Sequence, residues 1–213
     1  MKAIAISGSP RAAGNTDFFL NTMLGELIAK GVETEFVAMR DLKVMPCKGC
    51  YGCLEKKACV QDDDFEPLYA KMLASDIVLV GTPVYVSRPS ALLSPLLERV
   101  TFTGRASGRL LSGKVGAPVS VARRAGVTFA FAELLLWYFI NDMVVPGSSY
   151  WNVGIAGAKG AKDADKDLEG IDIVKRSAAN IYKVAAALQG SGPAEGIDRD
   201  KLFFKAPPPE KKA

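Results

Sequence analysis

The sequence predicts an α/β protein: a doubly wound, five-stranded parallel sheet in the order 2-1-3-4-5, with helices on both faces. Two patterns lead there. Apolar runs of strand length alternate with longer amphipathic stretches, and the first apolar run passes directly into a loop of small and hydroxyl residues that opens a helix. A length of 213 residues suits one domain that buries a sizeable core without disulfides.

Lys2–Ser7 is an apolar run followed at once by Gly-Ser-Pro, and the amphipathic stretch from about Asn15 to Lys30 reads as the first helix. Gly31 breaks it before a second strand at Glu33–Ala38. Asp64–Ala74 has helical spacing, with Phe65, Leu68, Met72 and Leu73 on one side. Ile77–Val80 is continuously apolar, as a strand covered on both faces must be. After Gly-Thr-Pro, Ala91–Val100 reads as helix, Lys114–Val121 as strand, Phe129–Phe139 as an apolar helix and Asp142–Val145 as a short last strand. Ile171–Leu188 is a long amphipathic C-terminal helix. Ser148–Asp167, rich in Gly, Ala and Lys, is expected to be an extended loop. The domain is then 1–190, and 191–213, with its APPPEKKA end, is a surface tail. Five strands wound this way define a flavodoxin-like sheet.

Composition narrows the chemistry. The 27 basic and 23 acidic residues are mixed along the chain, without the basic runs interleaved with aromatics that a nucleic-acid groove requires. The apolar stretch at the N-terminus, in MKAIAISGSPRAAGN, is too short for a signal-peptide core or a membrane span, so a cytoplasmic location is expected. Histidine is absent, which removes Ser–His and Cys–His nucleophile pairs. Chemistry must then come from cysteine, carboxylate or a bound cofactor.

The loop GSPRAAGNT after the first strand is a candidate anion site. Backbone N–H groups and a helix N-terminus face the ligand, with Ser9, Arg11, Asn15 and Thr16 as phosphate contacts and Gly8 and Gly14 easing a close approach. It is neither GxGxxG nor a Walker A loop, so a monophosphate suits it better than a triphosphate. GTPVYVS follows the third strand, at the crevice where strand order reverses. Thr82, Pro83, Val84, Tyr85 and Ser87 can there offer backbone groups and an aromatic face to a flat ring. Arg123, Arg124 and Gly126 follow the fourth strand at the same edge, and the two arginines can stabilise negative charge on such a ring or attract a dinucleotide phosphate.

All four cysteines fall in PCKGCYGCLEKKACV: Cys47, Cys50, Cys53 and Cys59, spaced C-x2-C-x2-C-x5-C. Three thiolates at x2 intervals let a short loop wrap one face of a compact [4Fe–4S] cluster, and the fourth closes it. Zinc sites more often take two x2 pairs far apart, and disulfides do not suit a reducing compartment. Zinc and free or redox-active thiols remain the competing assignments. Asp62-Asp63-Asp64 is expected to cap the following helix, and Trp137, Tyr138 and Phe139 to lie in the core or an interface. Gly154, Gly157 and Gly160 are not a nucleotide loop, since no clear strand leads into them.

With these motifs assembled, the sequence resembles the iron–sulfur flavoproteins, a branch of the NAD(P)H-dependent FMN reductase superfamily. The resemblance spans roughly residues 1–190 and is carried by GSPRAAGNT, CKGCYGCLEKKACVQDDD and GTPVYVSRPSALLSPLLERV. It implies FMN with its phosphate at the first loop and its ring at TPVYVS, a [4Fe–4S] cluster, a homodimer or homotetramer, and an anaerobic setting. An electron-transfer flavoprotein fed by a ferredoxin-like carrier is the leading function. An NAD(P)H-dependent FMN or quinone reductase and a redox sensor are the alternatives. Strands about 4.8 Å apart put the cysteine loop roughly 10 Å or more from the ring loops. The cluster of one subunit is therefore expected to serve the flavin of another.

Overall fold

The structure, a computed structural model, describes residues 1–191. The proposed tail, apart from its first residue, lies outside them. Strands β1 (Lys2–Ser7), β2 (Glu33–Ala38), β3 (Ile77–Pro83), β4 (Val115–Ala122) and β5 (Val153–Ile155) form one sheet in the order β2-β1-β3-β4-β5. Every pairing is parallel. The helices are α1 (Asn15–Ile28), α2 (Gly52–Lys56), α3 (Phe65–Ala74), α4 (Ser94–Ala106), α5 (Val127–Ile140) and α6 (Leu168–Leu188). Among the described residues no helix is long and apolar enough to cross a membrane.

The period-2 alternation of the strands sorts the core into two layers. Ala3, Ala5, Ile77, Leu79, Ala117 and Val119 face α1 and α6 together with Phe19, Met23, Val174 and Ile181. Ile4, Ile6, Val78 and Val80 face the other way, onto Phe65, Met72, Leu96, Val100, Leu134 and Tyr138 from α3, α4 and α5. Both layers are fully covered, which is why β3 reads as an unbroken apolar run. Trp137 and Tyr138 are core residues: Trp137 donates to the Leu97 carbonyl at 3.0 Å, and the Tyr138 hydroxyl lies 2.9 Å from the Ala117 carbonyl. Phe139, in contrast, is exposed.

Two expectations are corrected. Asp142–Val145 is not the last strand. Only Val144 bridges to β4, opposite Val115, and the chain then leaves the sheet at Pro146, which has no N–H to continue a ladder. It returns at Asn152, whose carbonyl accepts from the Ser120 amide at 3.1 Å, and β5 pairs with the far end of β4. The fifth strand position is thus split between two segments. Ser148–Asp167 is accordingly not one extended loop, for it contains β5 and the 3-10 turns Ala158–Gly160 and Ala164–Lys166. The aspartate run caps α3 as expected: Asp64 occupies the N-cap, and the Asp63 carboxylate accepts from the Phe65 amide at 3.1 Å.

Candidate functional site

The loops at the carboxyl ends of β1, β3 and β4 surround an open cleft at the point where strand order reverses. Ser9, Arg11, Asn15, Thr16, Pro83, Val84, Tyr85 and Arg123 line it, with Gly14, Val121, Ala122, Ala156 and Gly157. Its floor is the N-terminus of α1. Gly14 is the N-cap and supplies no side chain, so the first amides of the helix have no side-chain acceptor and face the cleft as an anion site.

The loop itself is held rigidly. Ser9, 3% exposed, turns its hydroxyl inward, accepting from the Arg11 amide and donating to the Arg11 carbonyl, each at 3.2 Å. Gly8 is required for packing: a Cβ there would come within 2.5 Å of Leu93. Beneath the loop Asp17 accepts from the Ser7 hydroxyl at 2.5 Å and pairs with Arg40 at 3.1 Å, and Arg40 also donates to the Ser9 carbonyl at 3.2 Å. Arg40 neutralises a carboxylate that would otherwise repel an anion at this helix end. Sequence reasoning missed both residues, since nothing local marks a pair that meets across 23 positions.

Two expected phosphate contacts are engaged elsewhere. The Asn15 amide donates to the Ala161 carbonyl at 3.0 Å and its oxygen accepts from the Asp163 and Ala164 amides. Arg11 donates to the Gly160 carbonyl, and Lys162 reaches the Ala12 carbonyl at 2.8 Å. The segment after β5 is thereby strapped across the mouth of the first loop.

On the far wall, Tyr85 and Arg88 exchange backbone hydrogen bonds of 2.9 Å around a tight hairpin turn. Val86 and Ser87 at its tip have φ of 50° and 61°. A β-branched residue in that region is strained, and Val86 is also almost fully exposed. Ser87 packs on Gly126, whose φ is 85° and whose Cβ, if present, would meet the Ser87 hydroxyl at 2.9 Å. Thr82 is buried, accepting from the Ser90 amide at 2.9 Å. None of Thr82, Ser87 and Gly126 lines the cleft: Thr82 is buried behind the wall, and Ser87 stands exposed at the hairpin tip beside Gly126. Arg123 and Arg124 are exposed, and neither has an ion-pair partner among the described residues. Of the two, only Arg123 reaches the cleft.

The second site lies on the α3–α4 side of the molecule. Left-handed residues Gly49, Tyr51 and Lys57 coil the chain from Cys47 to Cys59 around the short helix α2. Cys47, Cys50, Cys53 and Cys59 all line one small cavity, closed on the other side by Arg99, Phe102 and Thr103 of α4. The four are free thiols. Burial pushes the Cys53 thiol up, and proximity to Cys59, Cys47 and Cys50 adds to that effect. Among the described residues no group of three or more His, Cys, Asp or Glu side chains stands at metal-ligating geometry. The donor set is nonetheless four soft sulfurs on one cavity with a buried cation beside them, which fits a four-thiolate cluster in chemistry and in charge. This cavity and the cleft share no lining residue.

Sequence reasoning also missed Arg99 and Asp63. The Arg99–Asp63 pair, 2.5 Å apart, has both side chains at 2% exposure or less. Burial would raise the Asp63 carboxyl, but hydrogen bonds from Arg99 and from the Met45 and Phe65 amides outweigh it and hold the carboxyl below its ordinary range.

The sheet order and the cleft at its switch point define a flavodoxin-like protein. Solved structures agree in fold: RosB, described with a bound 8-demethyl-8-formylriboflavin-5'-phosphate intermediate, superposes with a TM-score of 0.73 over 90% of this chain and 81% of that one at 20% identity. A flavodoxin from the domain Archaea gives 0.57 over 86% and 99% at 18% identity. In sequence, the NADPH-dependent FMN reductase family matches residues 1–158. An iron–sulfur flavoprotein of Methanocaldococcus jannaschii is 33% identical over 86% of this chain and 98% of its own length. One from Methanosarcina thermophila is 32% identical over 89% and 97%. The chain belongs to the NADPH-dependent FMN reductase family and, within it, to the iron–sulfur flavoproteins.

Proposed function

We propose that this protein is an FMN- and [4Fe–4S]-containing electron-transfer oxidoreductase that passes electrons between a ferredoxin-like carrier and an acceptor. The observation that carries the reading is the pair of separate sites: an anion-ready cleft at the switch point and a cavity lined by all four cysteines. When bound, FMN supplies interconversion of one- and two-electron transfer, and a four-thiolate cluster supplies single-electron exchange.

The chain's own residues hold and orient. The α1 N-terminus and Ser9 backbone, set by Arg40, receive the phosphate, with Arg11 and Thr16 beside it. Pro83, Val84 and Tyr85 form the wall for the ring, and Arg123 brings positive charge to its edge. Cys47, Cys50, Cys53 and Cys59 would hold the cluster. Because the cysteine cavity and the cleft have separate walls, assembly into a homodimer or homotetramer, with the cluster of one subunit beside the flavin of its neighbour, is part of the reading.

A nicotinamide-dependent reductase is the second reading. It is favoured by the exposed Arg123 at the cleft with Arg124 next to it, neither ion-paired among the described residues, which suit a dinucleotide phosphate. The two separate on anaerobic stopped-flow mixing after FMN, iron and acid-labile sulfide are counted per chain. About one FMN with four irons and four sulfides, bleached fast by reduced ferredoxin and not by NADH or NADPH, is the expected result. FMN without iron, bleached by a nicotinamide, selects the reductase.

A further inference from the structure

Arg99 is a full charge enclosed by protein at 1% exposure, a costly arrangement unless its N–H groups are met. One terminal nitrogen, Nη1, donates to Asp63 at 2.5 Å and to the Met45 carbonyl at 3.1 Å. The other, Nη2, donates to the Cys59 sulfur at 3.2 Å, and the guanidinium lies 4.2 Å over the Phe65 ring. Nε is buried with no hydrogen-bond partner among the described residues. Phe65 on its face and Asp63 and Met45 at Nη1 hold the head group beside the cavity that Arg99 lines with the four cysteines.

A neutral thiol is a weak acceptor and would do little to offset the burial of this cation. A metal-bound thiolate is a strong one, and an N–H donor to such a sulfur tunes the bound group. We propose that Arg99 is a positioning residue for the cysteine site: through its N–H···S hydrogen bond it fixes the Cys59 sulfur and raises the reduction potential of the iron–sulfur cluster held there. Asp63 holds the guanidinium in place and offsets part of its charge. Reduction adds an electron to an already anionic group, so a fixed cation in the cavity wall favours the reduced form. This assignment rests on the cluster reading above.

A merely structural Arg99 would tie residues 45, 59 and 63 to α4 without touching the potential, and that difference is the test. Iron and sulfide are counted in anaerobically purified holoprotein, and the cluster is then titrated with EPR detection. In R99Q at unchanged iron content, the reduced-to-oxidised ratio at a fixed potential should fall at least tenfold, which is about 59 mV for one electron. R99K, which keeps the charge and loses the fork, should fall between. An unchanged potential in iron-replete R99Q overturns the proposal. If R99Q does not fold, wild-type protein labelled with 15N-arginine answers instead. Pulsed EPR of the reduced cluster should show an arginine 15N coupling, and its absence overturns the assignment. Wild-type protein without iron and sulfide overturns the cluster reading and this inference with it, an outcome distinct from an unmoved potential.

Discussion

At the scale of the residue, the Tyr69 hydroxyl sets out what burial does to a polar atom. It is buried with no hydrogen-bond partner among the described residues, and burial, with the nearby Glu66 charge, pushes its phenol up to about 12. An unmet hydroxyl costs the fold about 1–3 kcal/mol, so Tyr69→Phe should leave the urea midpoint unchanged or raise it. Since the folded state holds this proton more tightly than the unfolded state, wild-type stability should fall as pH rises from 10 toward 12, and the Y69F protein should lack that part of the fall. Chemical denaturation across that range reads both effects. The same scale shows why some site residues were legible and others not. Four cysteines within thirteen positions announce a ligand set because cluster motifs are local in sequence. Arg99 meets Cys59 across 40 positions and Asp63 across 36, and no pattern in either neighbourhood foretells the contact.

Elements carry the errors of the sequence reading. Strands β1, β3 and β4 were legible because a strand covered on both faces must be an apolar run, and β2, an edge strand, because Gly31 breaks the chain before it. The fifth is an edge, where Val144 and Val145 have the composition of a strand but Pro146 ends the pairing, and the ladder resumes at Val153. What splices the two halves is Asn152, whose buried amide donates to the Pro118 carbonyl at 3.2 Å and the Ser177 hydroxyl at 2.9 Å. Asn152→Ala should cost about 1–3 kcal/mol in denaturant unfolding. Amide exchange at 153–155 should accelerate before that at β3, since β5 is the edge strand. A second splice joins the cysteine loop to α3. Asp63 accepts from the Met45 amide at 2.8 Å, and Asp64 from the Lys43 amide at 2.6 Å. The Asp63 carboxyl lies below its ordinary range in the fold. Its contribution is therefore present above the unfolded value of about 3.9 and lost as pH falls through the folded one. The stability gap between wild type and D63N should thus be constant near neutrality and narrow in that acid window, as urea titrations from pH 6 downward would register.

For the whole molecule, the outer side of α5 is the feature that an isolated chain leaves unexplained. This helix is apolar nearly all round, yet only one side of it meets the sheet. Phe129, Leu136 and Phe139 are exposed by 71%, 70% and 84%, spaced so that they share the outward face. The one charge on the helix, Glu133, is neutralised by Arg88 of the same chain at 3.2 Å. The face is therefore neutral and apolar, which suits a second copy of itself better than water or a charged partner. Self-association through it follows the proposed function, in which a cluster reaches the flavin of a neighbour. Leu136→Glu places a charge in the middle of that face without touching the cleft or the cysteine cavity. Sedimentation should move from the wild-type assembly toward monomer, with circular dichroism and FMN content unchanged. Flavin reduction through the cluster should then slow and become dependent on protein concentration. If L136E sediments as wild type does, α5 is not the interface. If it becomes monomeric and flavin reduction is undiminished, each chain is complete alone, and the cysteine cavity serves its own cleft.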